Sequence, residues 1–97
     1  MAGLKPHWTP TAQADLVRLQ EFLHNKNPVA AVKAAVAILN AVDRIASFPA
    51  IGRRLEDAPD FRTVNARFGQ SSYAIRYQLL DDSSITITRI WHSREDR

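Results

Sequence analysis

The side chains that could do chemistry crowd the end of the chain, where Arg89, Trp91, His92, Arg94 and Arg97 follow one another closely, with Arg62 and Arg76 upstream. Histidine titrates near neutrality and suits a general acid or base. Arginine presents a planar fork to carboxylates, phosphates and bases and stays charged when partly buried. A metal-free protein that cuts RNA needs one group to activate the 2′-hydroxyl, one to stabilise charge on the phosphate and one to protonate the leaving oxygen. Here the candidate set is His92 with Arg62 and Arg76, one histidine among arginines. The same residues also suit a contact surface for a partner, with Trp91 as anchor or as core support. Plainer roles compete: His92 can cap the sheet, and the arginines can pair with Asp57, Asp60 or Glu95 across it. Asp15 and Glu21, six apart on a helix, point about 120° away from each other and make no acid–base pair. His7, His24 and His92 show no metal-ligand spacing, and no cofactor is expected.

The elements that must position these residues follow from periodicity. Leu4–Trp8 suits a short edge strand. Thr9-Pro10 reads as an N-cap with proline at the first helical position, and Ala12, Leu16, Leu19 and Leu23 form one apolar helical stripe, with Asp15, Arg18 and Glu21 off it. His24-Asn25-Lys26 ends that helix. Asn27-Pro28 repeats the start signal, so a second helix returns antiparallel to about Ser47, where Phe48-Pro49 stops it. Its polar residues Lys33, Asn40, Asp43, Arg44 and Ser47 fall within an arc of about 100°. The remaining circumference is apolar and needs cover on two sides, from the first helix and from the sheet or another chain.

Pro49–Arg54 is turn-rich, and Leu55–Asp60 is an acidic loop. Phe61–Phe68 reads as a strand, followed by a turn at Gly69-Gln70-Ser71-Ser72. Two further strands are expected at Tyr73–Leu80 and Ser84–Trp91, joined through Asp81-Asp82. Tyr73, Ile75, Tyr77 and Leu79 share one face, as do Ile85 and Ile87 in the last run. Beyond Thr88 the alternation stops. The order of a short strand, two helices and three strands predicts an α+β fold: a helical hairpin packed on one face of a small antiparallel sheet, in a single domain spanning 1–97.

The totals agree with one core in 97 residues. No apolar run approaches the roughly 20 residues of a membrane helix, and the start lacks a signal-like hydrophobic region. There is no cysteine, which excludes disulfides, thiolate catalysis and cysteine-ligated zinc. A cytoplasmic protein is expected. The net charge of +3 is a weak argument for nucleic acid. The cation type is the sharper signal: all eight basic residues after Pro49 are arginine.

With its elements in order, the chain resembles the RelE/ParE superfamily of toxins from bacterial type II toxin–antitoxin pairs. The carriers are Ala12-x-x-Asp15-Leu16, Phe48-Pro49-x-Ile51-Gly52-Arg53, Phe61-Arg62-x-Val64, Tyr73-x-Ile75-Arg76-Tyr77, Asp81-Asp82 and Ile87-Thr88-Arg89-Ile90-Trp91-His92-Ser93-Arg94. The resemblance implies one of two activities. RelE-like members cut messenger RNA on the ribosome; ParE-like members bind DNA gyrase and poison it without doing chemistry. RelE-like enzymes carry an arginine three residues before the central-strand tyrosine, where this chain has Ala74. They also carry a tyrosine near the C-terminus, and none follows Tyr77 here. Basic lysines ahead of the central strand are missing too, since the lysines are Lys5, Lys26 and Lys33. The departures place the chain nearer the ParE branch. The resemblance then implies a ParD-like antitoxin laid over the second helix and the sheet in a hetero-oligomer, DNA gyrase as target, and target contacts at Arg62, Arg76, Arg89, Trp91, His92 and Arg94.

Overall fold

The computed structural model describes residues 5–80 and 84–94. The turn expected at Asp81-Asp82, Leu4 of the first strand, and Glu95 and Arg97 of the tail lie outside the described residues. The chain runs β1 (His7–Trp8), α1 (Pro10–Lys26), α2 (Pro28–Ser47), a 3-10 turn (Pro49–Ile51), β2 (Arg53–Arg54), β3 (Phe61–Phe68), β4 (Ser71–Leu79) and β5 (Ile85–His92).

Both helix starts form as their residue types require. The Thr9 hydroxyl accepts from the Ala12 N–H at 3.0 Å, and the Asn27 side chain accepts from the N–H groups of Val29 and Ala30. Each cap is followed by proline, whose absent N–H leaves no orphan donor. The single residue between the helices makes them an antiparallel pair. The sheet has the order β1-β5-β4-β3-β2. β2 to β5 form an antiparallel meander. β1 adds a parallel edge to β5 through His7↔Thr86 and Trp8↔Ile87, a pairing the long crossover through both helices permits. Arg53–Arg54, expected as part of a connector, forms a two-residue edge strand instead.

Gly69 opens the two-residue β3–β4 loop with φ 59°, the left-handed conformation that favours glycine. The core lies between the helices and one face of the sheet. It joins Ala12 and Leu19 of α1, Ala34, Ile38, Ala41, Val42 and Ile45 of α2, and Tyr73, Ile75, Tyr77, Ile85, Ile87 and Ile90 of the sheet. The alanines of α2 let its backbone approach closely. Its other side stays bare, with Val29, Val32, Val36 and Leu39 between 45% and 62% exposed. The two covers expected for α2 are thus α1 and the sheet, and this further apolar side lies outside both.

One irregularity sets the direction of every side chain at the end of β5. Register shifts between Arg76 and Tyr77, so that Tyr77 faces Ile87 while Arg76 faces Arg89. The extra residue is Thr88, a β-bulge. Without it, the alternation of Ile85 and Ile87 would continue inward through Arg89 and Trp91. With it, Ile90 and His92 point to the helix side, and Arg89 and Trp91 to the helix-free side. Trp91 is therefore half-buried on the open face, a correction to its expected place supporting the site from the core.

Candidate functional site

Asp15 joins helix to sheet. It was expected off the apolar stripe of α1, yet it is buried at 6% exposure. Where β1 ends, Thr9 continues the ladder by donating its N–H to the Ile87 carbonyl and its hydroxyl to Thr88 O at 3.2 Å. The chain then turns into α1, and β5 loses its neighbouring strand. Asp15 replaces it: one carboxylate oxygen accepts the Ile90 N–H at 2.9 Å and the Arg89 Nε at 2.8 Å. Arg18, one turn along α1, adds a longer ion pair at 3.7 Å. Arg89 thus reaches round the edge of β5 to Asp15 of α1.

A second clamp holds the turn after α2. The Tyr77 hydroxyl donates to Pro49 O at 2.6 Å and accepts the Gly52 N–H at 2.9 Å. Arg62 donates from Nη1 to the carbonyls of Ala50 and Gly52, at 3.1 and 2.9 Å. Gly52 is required by close approach: an added Cβ would sit 2.6 Å from Tyr77 Oη and 2.9 Å from Arg62 Cβ. Burial pushes the Tyr77 hydroxyl above its ordinary pKa of 10.0, against smaller lowering effects of the Gly52 hydrogen bond and the Arg62 charge.

His92 and Arg94 line a groove of about 680 Å³ between the C-terminal half of α1 and the β4–β5 end of the sheet. Tyr73 is its floor and meets the His92 ring edge-on, with centroids 5.3 Å apart. Burial raises the Tyr73 pKa as well, keeping the phenol neutral. The Arg94 N–H donates to His92 Nδ1 at 3.1 Å, which leaves the ring proton on Nε2. From α1 come Arg18, Phe22 and Lys26, with Leu19 and Leu23. The Lys26 ammonium lies 4.8 Å over the Phe22 ring. These helix residues were not among the sequence candidates, although 18, 22 and 26 recur every four residues and so share a helix face.

The six predicted residues therefore fall in four places. Arg62 holds the turn after α2, and Arg89 holds α1 to β5. Arg76 and Trp91 lie together on the open face, with the guanidinium carbon 5.0 Å from the Trp91 ring centre. Only His92 and Arg94 share the groove. His92 is in register with Tyr73, and Arg62 with Tyr77, an offset of roughly 13 Å along the strands. His92 and Arg76 lie on opposite faces of the sheet. Among the described residues no three His, Asp or Glu side chains come together to hold a metal, and no helix is long and apolar enough to cross a membrane.

Against known proteins, the family model for the ParE toxin of the type II toxin–antitoxin system parDE matches residues 7–97. The chain belongs to the ParE toxin family. Relatives from Caulobacter vibrioides carry the other branch's name. Toxin RelE1 is 40% identical over 86 residues, covering 89% of each chain. Toxin RelE3 is 34% identical over 88 residues, covering 91% of this chain and 92% of its own. A solved structure described as a chromosomal ParDE TA system from P. aeruginosa superposes with a TM-score of 0.73 at 23% identity, over 95% of this chain and 98% of that one. At that identity it establishes the fold: two helices on a five-stranded mixed sheet. This ParE-family chain is thus the toxin component of a type II toxin–antitoxin system, which implies a cognate antitoxin as partner. The two branch names divide between the family and its relatives, and the choice of target rests on the residues.

Proposed function

We propose that this toxin poisons DNA gyrase by direct binding, without catalysing a reaction of its own. The observation that carries this reading is the separation of the ribonuclease set. An enzyme acting on one phosphate needs its acid–base group and its arginines around that phosphate. Here His92 faces α1, Arg76 faces away from it, and Arg62 is held by two carbonyls. His92 has also given its Nδ1 lone pair to Arg94. The groove instead has the make-up of a protein-docking site, with an apolar floor of Leu19, Leu23 and Tyr73 beneath a cationic rim of Arg18, Lys26 and Arg94. His92 and Arg94 make the target contact from this rim. Arg62 and Arg89 act by fixing the turn and the helix around it.

The test is a supercoiling assay with purified toxin, gyrase, ATP and relaxed plasmid, with and without antitoxin. Inhibition or trapped cleaved DNA is expected, relieved by antitoxin and weakened by Arg94→Ala. The names of the Caulobacter relatives favour a second reading, a ribosome-dependent endoribonuclease using His92 with Arg62 and Arg76. Messenger RNA cleavage on ribosomes with gyrase unaffected, lost in His92→Ala, would establish that reading in place of the first.

A further inference from the structure

Two tyrosines of β4 are buried on the helix side, and their hydroxyls are treated differently. Tyr77 Oη donates to Pro49 O and accepts from the Gly52 N–H. Tyr73 is 1% exposed, yet its hydroxyl makes no hydrogen bond to any described residue. Burial alone raises its pKa, whereas Tyr77 also feels the Gly52 bond and the Arg62 charge. Nor is the Tyr73 hydroxyl enclosed: among the described residues, the side-chain polar atom that lacks both partner and access is Arg76 Nε. The hydroxyl therefore opens into the groove that Tyr73 floors. A phenylalanine would fill the same place without a polar atom to satisfy. The His92 ring, edge-on at 5.3 Å, holds the phenol in position. Around it, Leu19, Leu23 and Lys26 come from α1 and Arg94 from the sheet side, and no described aspartate or glutamate lines the groove.

We propose that the groove receives an acidic segment of the target protein, with a carboxylate seated on the Tyr73 hydroxyl and an aliphatic side chain on Leu19 and Leu23. This rests on the groove being the docking site and names the chemistry of what docks there. A neutral phenol donates its proton to a carboxylate oxygen in a short, charge-assisted hydrogen bond. Lys26 and Arg94, from opposite walls, answer the charge of a carboxylate that leaves water. An inorganic anion would leave the apolar floor uncovered. A wholly apolar segment would leave the hydroxyl unanswered and strip water from both cations.

The experiment is fluorescence anisotropy of the full-length toxin with a labelled leucine–glutamate peptide and its leucine–glutamine counterpart, at 50 and 200 mM salt. The glutamate peptide is expected to bind at least ten-fold more tightly at 50 mM, a preference that shrinks at 200 mM. Tyr73→Phe keeps the ring and the shape of the groove. It should melt as the unaltered toxin does, yet bind the glutamate peptide at least five-fold more weakly, with a smaller loss for the glutamine peptide. Lys26→Gln/Arg94→Gln should lose at least ten-fold and most of the salt dependence. Lys33→Gln/Arg44→Gln removes the same charge from exposed positions of α2 and should bind as the unaltered toxin does. Circular dichroism verifies that each variant is folded. Equal affinity for the two peptides, no weakening in Tyr73→Phe, equal loss in both double variants, or displacement by AMP as readily as by unlabelled peptide would each overturn the proposal. The supercoiling assay on the same variants separates it from the gyrase reading. Gyrase inhibition undiminished in Tyr73→Phe would overturn the proposal alone. Gyrase unaffected by the toxin, with the peptide results as expected, would overturn the gyrase reading alone.

Discussion

Replacing Asp15 tests the link between helix and sheet directly. Asp15→Ala removes the acceptor of the Ile90 N–H, which is buried and has no adjacent strand. A buried donor left without a partner costs about 1–3 kcal/mol. The Arg89 contact is charge-assisted and short, worth about 1.5–3 kcal/mol for a buried pair. Because the Arg89 side chain is 35% exposed, water recovers much of that, and we assign it about 1 kcal/mol. The expected total is about 2–4 kcal/mol, a fall in Tm on the order of 10–25 °C for a domain of this size. Asp15→Asn keeps an acceptor for Ile90 while losing the charge, so it should cost about 1–2 kcal/mol. The assay is urea unfolding followed by tryptophan fluorescence, with Arg89→Leu completing a double-mutant cycle. If Asp15→Ala costs less than about 0.5 kcal/mol, or no more than Asp15→Asn, the carboxylate is not standing in for a strand. The edge-capping argument then fails.

The other expectations concern the second clamp, the turn and the bare helix. Tyr77→Phe leaves the Gly52 N–H without its acceptor and should cost about 1–3 kcal/mol, measured by the same unfolding curves. Because burial raises the Tyr77 pKa in the folded state, its contribution is complete below pH 10.0 and is lost as pH rises through the folded value. Tyr77→Phe should therefore flatten the alkaline decline in Tm above pH 10.0, leaving the part due to Tyr73. Gly52→Ala drives a Cβ into Tyr77 and Arg62, so a loss of about 1–3 kcal/mol is expected. Gly69→Ala meets no neighbouring atom and should lose only the roughly 1–2 kcal/mol of left-handed strain, with Gly69→Asn losing less. Val32→Glu/Val36→Glu should change stability by less than about 1 kcal/mol yet weaken antitoxin binding at least ten-fold by calorimetry. Unchanged antitoxin affinity would mean the apolar side of α2 is covered by something else.

Much of the architecture was legible in the residues, because it depends on near neighbours in the chain. Thr9-Pro10 and Asn27-Pro28 start helices through contacts two and three residues away, and Phe48-Pro49 ends one through a local clash. The alternation in Tyr73–Leu79 marks its buried face because every second side chain must leave water. The same locality explains what was missed. Asp15 looks solvated from its place on the helical wheel, since its partners are 74 and 75 residues away in β5. The bulge at Thr88 changes no residue type, yet it turns Trp91 out to the open face and His92 in toward α1. Whether six polar residues make one site is a question of register and face. Sequence alone named the fold and the residues with chemical potential; the tertiary structure distributed them over four places, because strand register, and in β5 a single extra residue, decides which side of the sheet each one meets.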